Sequence, residues 1–222
     1  MATINLEPIK SGPIEETQHS PQFRETVERT AGLFLLAATA PVTVISAIAA
    51  AALSGRSPFV AHLRVGKDDQ PFWMWKIRTM WDRRAATPRR WEWIEYVATE
   101  PVEDGKPAND PRVTSWFAAF CRRHSIDELP QLWNVVRGDM ALVGPRPLTR
   151  SEVDRHYSSQ AHELLSVKPG LTGLWQVSGR STIRFPQRAA MDLELVRKLT
   201  PMLYVQILLR TTWALVSGQG AW

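Results

Sequence analysis

The chain has 222 residues, with 27 Lys and Arg against 22 Asp and Glu, 44% hydrophobic residues, 10 Trp, 16 Pro and one Cys. That length is enough for a hydrophobic core, which excludes a stapled mini-protein and a wholly disordered chain. A lone cysteine, Cys121, excludes an intramolecular disulfide framework and a thiolate metal cluster, and it suits a reducing compartment.

Charge is unevenly spread: residues 1–30 hold three Lys/Arg and five Glu, leaving 24 basic and 17 acidic residues beyond them. The basic body suits an anionic partner, whether nucleotide, phospholipid surface or nucleic acid, and charge alone does not choose among them. Residues 1–22 mix Pro, Glu, Ser, Gln and Gly without apolar periodicity and are predicted to form a disordered tail. From Ala31 to Leu53 every residue is apolar or small, with no charge between Arg29 and Arg56, and these 23 residues are long enough to span a bilayer. Pro41 lies near the middle, where its missing N–H and its ring predict a break or kink between arms of roughly 10 and 12 residues. Three arrangements fit: a kinked spanning helix, a re-entrant hairpin, or the core helix of a soluble protein. A cleaved signal sequence is disfavoured by a charged lead of about 30 residues. Arg24 and Arg29 precede the segment and Arg56, Arg64 and Lys67 follow it, a symmetry that favours both ends being cytoplasmic.

Trp73, Trp75, Trp81, Trp91, Trp93 and Trp116 fall among Arg and Lys, the mixture found at headgroup level; some of them are expected at a membrane surface, the rest being core aromatics. Glu100 to Pro111 is a polar loop. Arg112 to Arg123 then places Val113, Trp116, Phe117 and Phe120 at helical spacing, an amphipathic helix or the entry to one.

The densest string runs from Arg122 to Pro147, RRHSIDELPQLWNVVRGDMALVGPRP. Ser125 and Glu128 have capping-box spacing, and Asp127 is itself an N-cap candidate with Pro130 in the first turn. Capping alone does not explain the basic crowding. Arg122, Arg123, Arg137 and Arg146 are expected to surround the adjacent acids Asp127 and Glu128 with positive charge, as phosphoryl transfer requires: a carboxylate to attack or hold metal, and cations to take up developing charge. The last periodic segment starts at Thr200, a candidate N-cap, with Pro201 in the first helical position, and stops near Gly218.

That string, with KIRTM at 76–80, DPRVT at 110–114, VKPGLTGLWQVSGR at 167–180 and the ending GQGAW, resembles the bacterial sugar transferases, the monotopic polyprenol-phosphate phosphoglycosyl transferases, and among them the short members that initiate exopolysaccharide repeat units. The resemblance covers about residues 24–222. It implies a mainly α chain with a few short strands (α+β): a tail over 1–22, a re-entrant helix over 23–55 broken at Pro41 with both ends cytoplasmic, and a cytoplasmic catalytic domain with interfacial amphipathic helices over 56–222. It further implies transfer of a sugar phosphate from a UDP-sugar to undecaprenyl phosphate at the bacterial inner membrane, with release of UMP. In that scheme Asp127 is the nucleophile and Glu128 its partner, both serving Mg²⁺. Arg122, Arg146 and Arg180 contact phosphate or nucleotide, and Lys76, Arg78 and Arg112 are further candidates. Phospholipid is the expected surrounding, a homo-oligomer is compatible, and nucleic acid is not expected, because no nucleic-acid motif accompanies the charge.

The sequence departs from the family pattern at several points. The usual Lys-Arg-x-x-Asp before the membrane helix is Glu28, Arg29 and then Gly32; Ala40 stands where a Ser precedes the break; D-x-x-Y-V reads Asp192, Leu193, Glu194, Leu195, Val196; and Tyr204 replaces an Asp of the last helix. The rival reading is a non-catalytic membrane-surface module that binds anions. A glycosidase needs carboxylates on opposite sides of a bond, about 5 Å or more apart, which adjacent residues at a helix start do not provide.

Overall fold

The computed structural model describes residues 21–81, 92–98, 113–179 and 183–217. Helix α1 spans Pro21–Ser54. The helix is continuous through Pro41: of the break or kink expected there, the break does not occur. Proline removes one N–H and crowds the carbonyl four residues back, and hydroxyls on either side bond back to carbonyls of the preceding turn, which favours a bend without ending the helix. Thr39 Oγ1 donates to Leu35 O at 2.8 Å and Thr43 Oγ1 to Thr39 O at 3.0 Å. The outward side of α1 is apolar and exposed at Leu33, Phe34, Val44, Ile45 and Ile48, so α1 is not the core helix of a soluble protein.

Strands β1 (Phe59–Val65) and β2 (Pro71–Ile77) form an antiparallel hairpin in the register Phe59↔Ile77 to Val65↔Pro71. Its turn puts Asp68 and Asp69 at φ 53 and 62, consecutive left-handed residues whose twist matches that of the strands. Strand β3 (Ile94–Val97) pairs parallel to the other side of β1. After it come α2 (Trp116–Arg123), a 3-10 turn at Ile126–Glu128, α3 (Gln131–Arg137) and β4 (Ala141–Val143). Then follow α4 (Arg150–His156), α5 (Ala161–Leu164), β5 (Gly170–Thr172), α6 (Leu174–Ser178), α7 (Phe185–Lys198) and α8 (Pro201–Ser217).

The central core joins β2, α3 and β4 through Phe72, Met74, Leu132, Val135, Met140 and Leu142, and α1 and α8 cover it with Ala31, Leu36, Tyr204 and Leu208. Gly32 lets α1 lie close against α3: a Cβ there would fall 2.9 Å from Val135 Cγ1. Further along α1, Ser46, Ala47 and Ala50 are buried, and Ser46 hydrogen-bonds the Cys121 thiol of α2. Both halves of the long helix therefore rest on one body. Near its start, Glu28 is buried, accepts from Tyr204 Oη of α8 at 2.9 Å and pairs with Arg24 at 3.3 Å.

Among the six tryptophans weighed for the membrane surface, Trp93 and Trp116 are exposed and Trp81 is buried, while Trp91 lies outside the described residues. The helix expected over 112–123 begins later, at Trp116, capped by Ser115 Oγ, which accepts from Ala118 N–H. Its buried residues are the small ones, Ala118 and Cys121, and the aromatic stripe of Trp116 and Phe120 turns outward. Helix α8 starts where expected, with Thr200 Oγ1 accepting from Leu203 N–H at 3.2 Å. It exposes Met202, Val205, Leu209, Trp213 and Val216 along one stripe.

Candidate active site

Asp127 and Glu128 sit in the 3-10 turn between α2 and α3. The expected capping box is not formed. Ser125 adopts a left-handed backbone (φ 53), its side chain caps nothing, and its carbonyl accepts from Glu128 N–H at 3.1 Å. The acids are thus released from a capping role. The capping box of this chain lies instead at Thr149 and Glu152, where α4 begins.

The Asp127 side chain is buried, and its carboxyl is pushed up to about 6, first by burial and then by the neighbouring charge of Glu128; Lys76 and Arg122 oppose the shift. Lys76 Nζ donates to Glu128 Oε1 at 2.6 Å. That contact is set by Asn134, which is fully buried in α3 and grips the free edge of β2 as another strand would. Its Oδ1 accepts from Trp75 N–H at 3.2 Å and its Nδ2 donates to Trp73 O at 2.8 Å. Lys76 is the next residue along that strand. Asn134 is a site residue that motif reading missed, because an asparagine inside a helix pattern carries no local signal of a sheet edge across 59 residues.

The four arginines expected around the acids separate. Arg122 acts electrostatically on Asp127. Arg123 is exposed, and Arg137 pairs with Asp139 at 3.3 Å. Arg146 belongs to a second cluster. Its backbone N–H donates to Asp192 Oδ1 at 3.4 Å, Tyr157 Oη donates to Asp192 Oδ2 at 3.1 Å, and the guanidinium groups of Arg146 and Arg188 lie 5.6 and 4.7 Å from the Trp175 ring centre. Asp192 is buried, and burial pushes its carboxyl up to about 7. Arg78 is committed elsewhere: it donates to Glu95 Oε2 at 2.6 Å and to Ser57 O at 2.7 Å, holding β2, β3 and the β1 entry together. Arg112 and Arg180 lie outside the described residues.

Two separate motifs meet at Arg146. β4 pairs parallel to β5, and the backbones of Gly144 and Gly170 touch so closely that a Cβ on Gly170 would fall 2.1 Å from Gly144 N. A Cβ on Gly173 would fall 2.5 Å from Gly144 O. V-G-P-R-P and P-G-L-T-G are therefore two halves of one interlocked loop pair, and glycine is required because backbone lies where a side chain would be.

Among the described residues no three His, Cys, Asp or Glu side chains converge to hold a metal ion. The dyad still fits Mg²⁺, which needs only one or two carboxylates when substrate phosphates and water complete its shell. Burial first, and then the adjacent charge of Glu128, raises the Asp127 carboxyl, and a divalent cation would offset both.

A family model described as bacterial sugar transferase matches residues 20–218. A UDP-galactose-lipid carrier transferase of Erwinia amylovora is 36% identical over 212 residues, covering 92% of this chain and 43% of that protein. The exopolysaccharide production protein ExoY of Rhizobium meliloti is 37% identical over 176 residues, covering 76% of this chain and 74% of ExoY. A UDP-glucose:undecaprenyl-phosphate glucose-1-phosphate transferase of Caulobacter vibrioides is 32% identical over 212 residues, covering 90% of this chain and 72% of that protein. The chain thus spans less than half of the first of these and about three quarters of the other two.

Proposed function

The chain belongs to the bacterial sugar transferase family, and from that premise we propose that it transfers a sugar 1-phosphate from a UDP-sugar to undecaprenyl phosphate, releasing UMP, as the first membrane step of exopolysaccharide synthesis. The observation that carries this reading is the buried Asp127 beside Glu128, with Lys76 on Glu128 and Arg122 acting on Asp127.

A carboxylate approaching a diphosphate is repelled unless cations neutralise the phosphates. Lys76 and Arg122 supply two such charges from the protein, and Mg²⁺, held by Asp127, Glu128 and the substrate phosphates, supplies Lewis-acid neutralisation when bound. An Asp127 Oδ attacks the sugar-bearing phosphorus, a P–O bond forms, and the bond to the UMP oxygen breaks. A phosphate oxygen of the polyprenol acceptor then attacks the same phosphorus and returns Asp127 to its carboxylate. Glu128, fixed by Lys76, orients the acceptor and handles its proton. Arg146, on the interlocked loops, contacts the nucleotide, and Arg180 and Arg112 are assigned the same role.

We place α1 in the cytoplasmic membrane with the catalytic body on the cytoplasmic face. A helix of 34 residues that crossed fully would carry one half away from that body, whereas Gly32 and Ser46 both pack on it, which supports a re-entrant course. The test is UMP release by the detergent-solubilised protein with undecaprenyl phosphate, Mg²⁺ and a panel of UDP-sugars. One donor should give acceptor-dependent UMP, and Asp127→Asn, folded and membrane-bound, should lose at least about 10³-fold. Near-normal turnover by Asp127→Asn would overturn the covalent scheme.

A further inference from the structure

One surface feature is used by none of the chemistry above. Between α2 and the end of α8 lies a groove of about 290 Å³ lined by Trp116, Ala119, Phe120, Arg123, His124 and Ser217. Its long wall is a ladder of rings one helical turn apart: Trp116 stacks on Phe120 at 5.4 Å, and Phe120 meets His124 at 4.7 Å. His124 Nδ1 donates to Leu215 O at 2.8 Å, fixing the inner ring and fastening α2 to α8.

The wall is apolar and outward-facing, with Trp116 78% exposed, and it lies alongside the apolar stripe of α8 that ends in Trp213 and Val216. The exposed cation Arg123 also lines it, four residues before Asp127 in the sequence. A slot walled by aromatic rings, with a cation at the end of α2 from which the chain runs on to the dyad, is complementary to an amphiphile with an apolar chain and an anionic head. Phospholipid at large meets α1 and α8 on open faces and needs no slot.

We propose that this groove seats the first isoprene units of the prenyl phosphate acceptor, with the Trp116–Phe120–His124 ladder against the chain and Arg123 beside the phosphate, so that the head is delivered to the 3-10 turn. This rests on the transferase reading, and the experiment keeps the two separable. The full-length protein in detergent is irradiated with a prenyl phosphate that carries a diazirine on its first isoprene unit, and cross-linked peptides are mapped. Labelling of residues 116–124 or of the end of α8, competed by undecaprenyl phosphate and not by phosphatidylglycerol, is the expected result.

In parallel, Ala119→Phe fills the groove without touching the dyad. It should raise KM for undecaprenyl phosphate about tenfold while leaving KM for the UDP-sugar and flotation with vesicles unchanged. Labels elsewhere, equal competition by phosphatidylglycerol, or an unchanged acceptor KM in Ala119→Phe would each overturn the groove. If the wild type releases no UMP from any donor yet the label still maps to the groove, the seat stands and the transferase reading falls.

Discussion

Lys76 reaches Glu128 because Asn134 pins the edge of β2, so these two residues separate chemistry from scaffold. Lys76→Met leaves the strand in place and removes a cation from the dyad; turnover should fall about 10²-fold with little change in thermal midpoint. Asn134→Ala acts on the fold, stripping partners from a buried N–H and C=O, and should cost about 3 kcal/mol in denaturant titrations. Asp192 offers a reading through pH. Its carboxyl keeps its proton up to about 7 in the folded protein against 3.8 ordinarily, so the folded state binds more protons between those values. Stability must therefore fall as pH rises through that window. Asp192→Asn, measured by thermal unfolding from pH 4 to pH 8, should flatten that slope. The proximity of Asp127, Glu128 and Arg122 was legible because the motif that carries them is local. Asn134 and the Arg188–Trp175 stack were not, because each acts across the fold on a group that no sequence window contains.

Where elements meet, side chains far apart in sequence depend on each other. Glu28 of α1 and Tyr204 of α8 are hydrogen-bonded across 176 residues of sequence. Tyr204→Phe should cost about 1–3 kcal/mol by leaving the buried Glu28 without that donor. Glu28→Lys should be destabilising alone and partly rescued by Tyr204→Asp, a coupling that a double-mutant cycle reads directly. Gly32→Asp should cost about 1–3 kcal/mol, because Val135 fills the place of its side chain. Helix α8 was legible from Thr200 and Pro201, whose side chains act within one turn. The hairpin of β1 and β2 was not: its turn uses two aspartates in a left-handed backbone instead of Asn-Gly, and its tryptophans read equally well as membrane anchors. Pro41 was read correctly in position, and the helix runs on through it without ending there.

At the scale of the whole molecule, the exposed apolar surface gathers on α1, α2 and α8. Replacing Leu209 and Trp213 with Glu should lower partition into anionic vesicles at least about tenfold in flotation assays while leaving the buried core alone. The seating of α1 carries a consequence for handling the protein. Because Ala31, Gly32 and Leu36 close over Val135 and Leu132, the long apolar helix α1 doubles as the lid of the core. A chain trimmed to begin after Ser54 would not be the soluble half of a two-part molecule; it would be an opened core, prone to clumping during expression. A water-soluble form is better sought by recolouring Leu33, Phe34, Val44, Ile45 and Ile48 with polar side chains while keeping the inward side of the same helix.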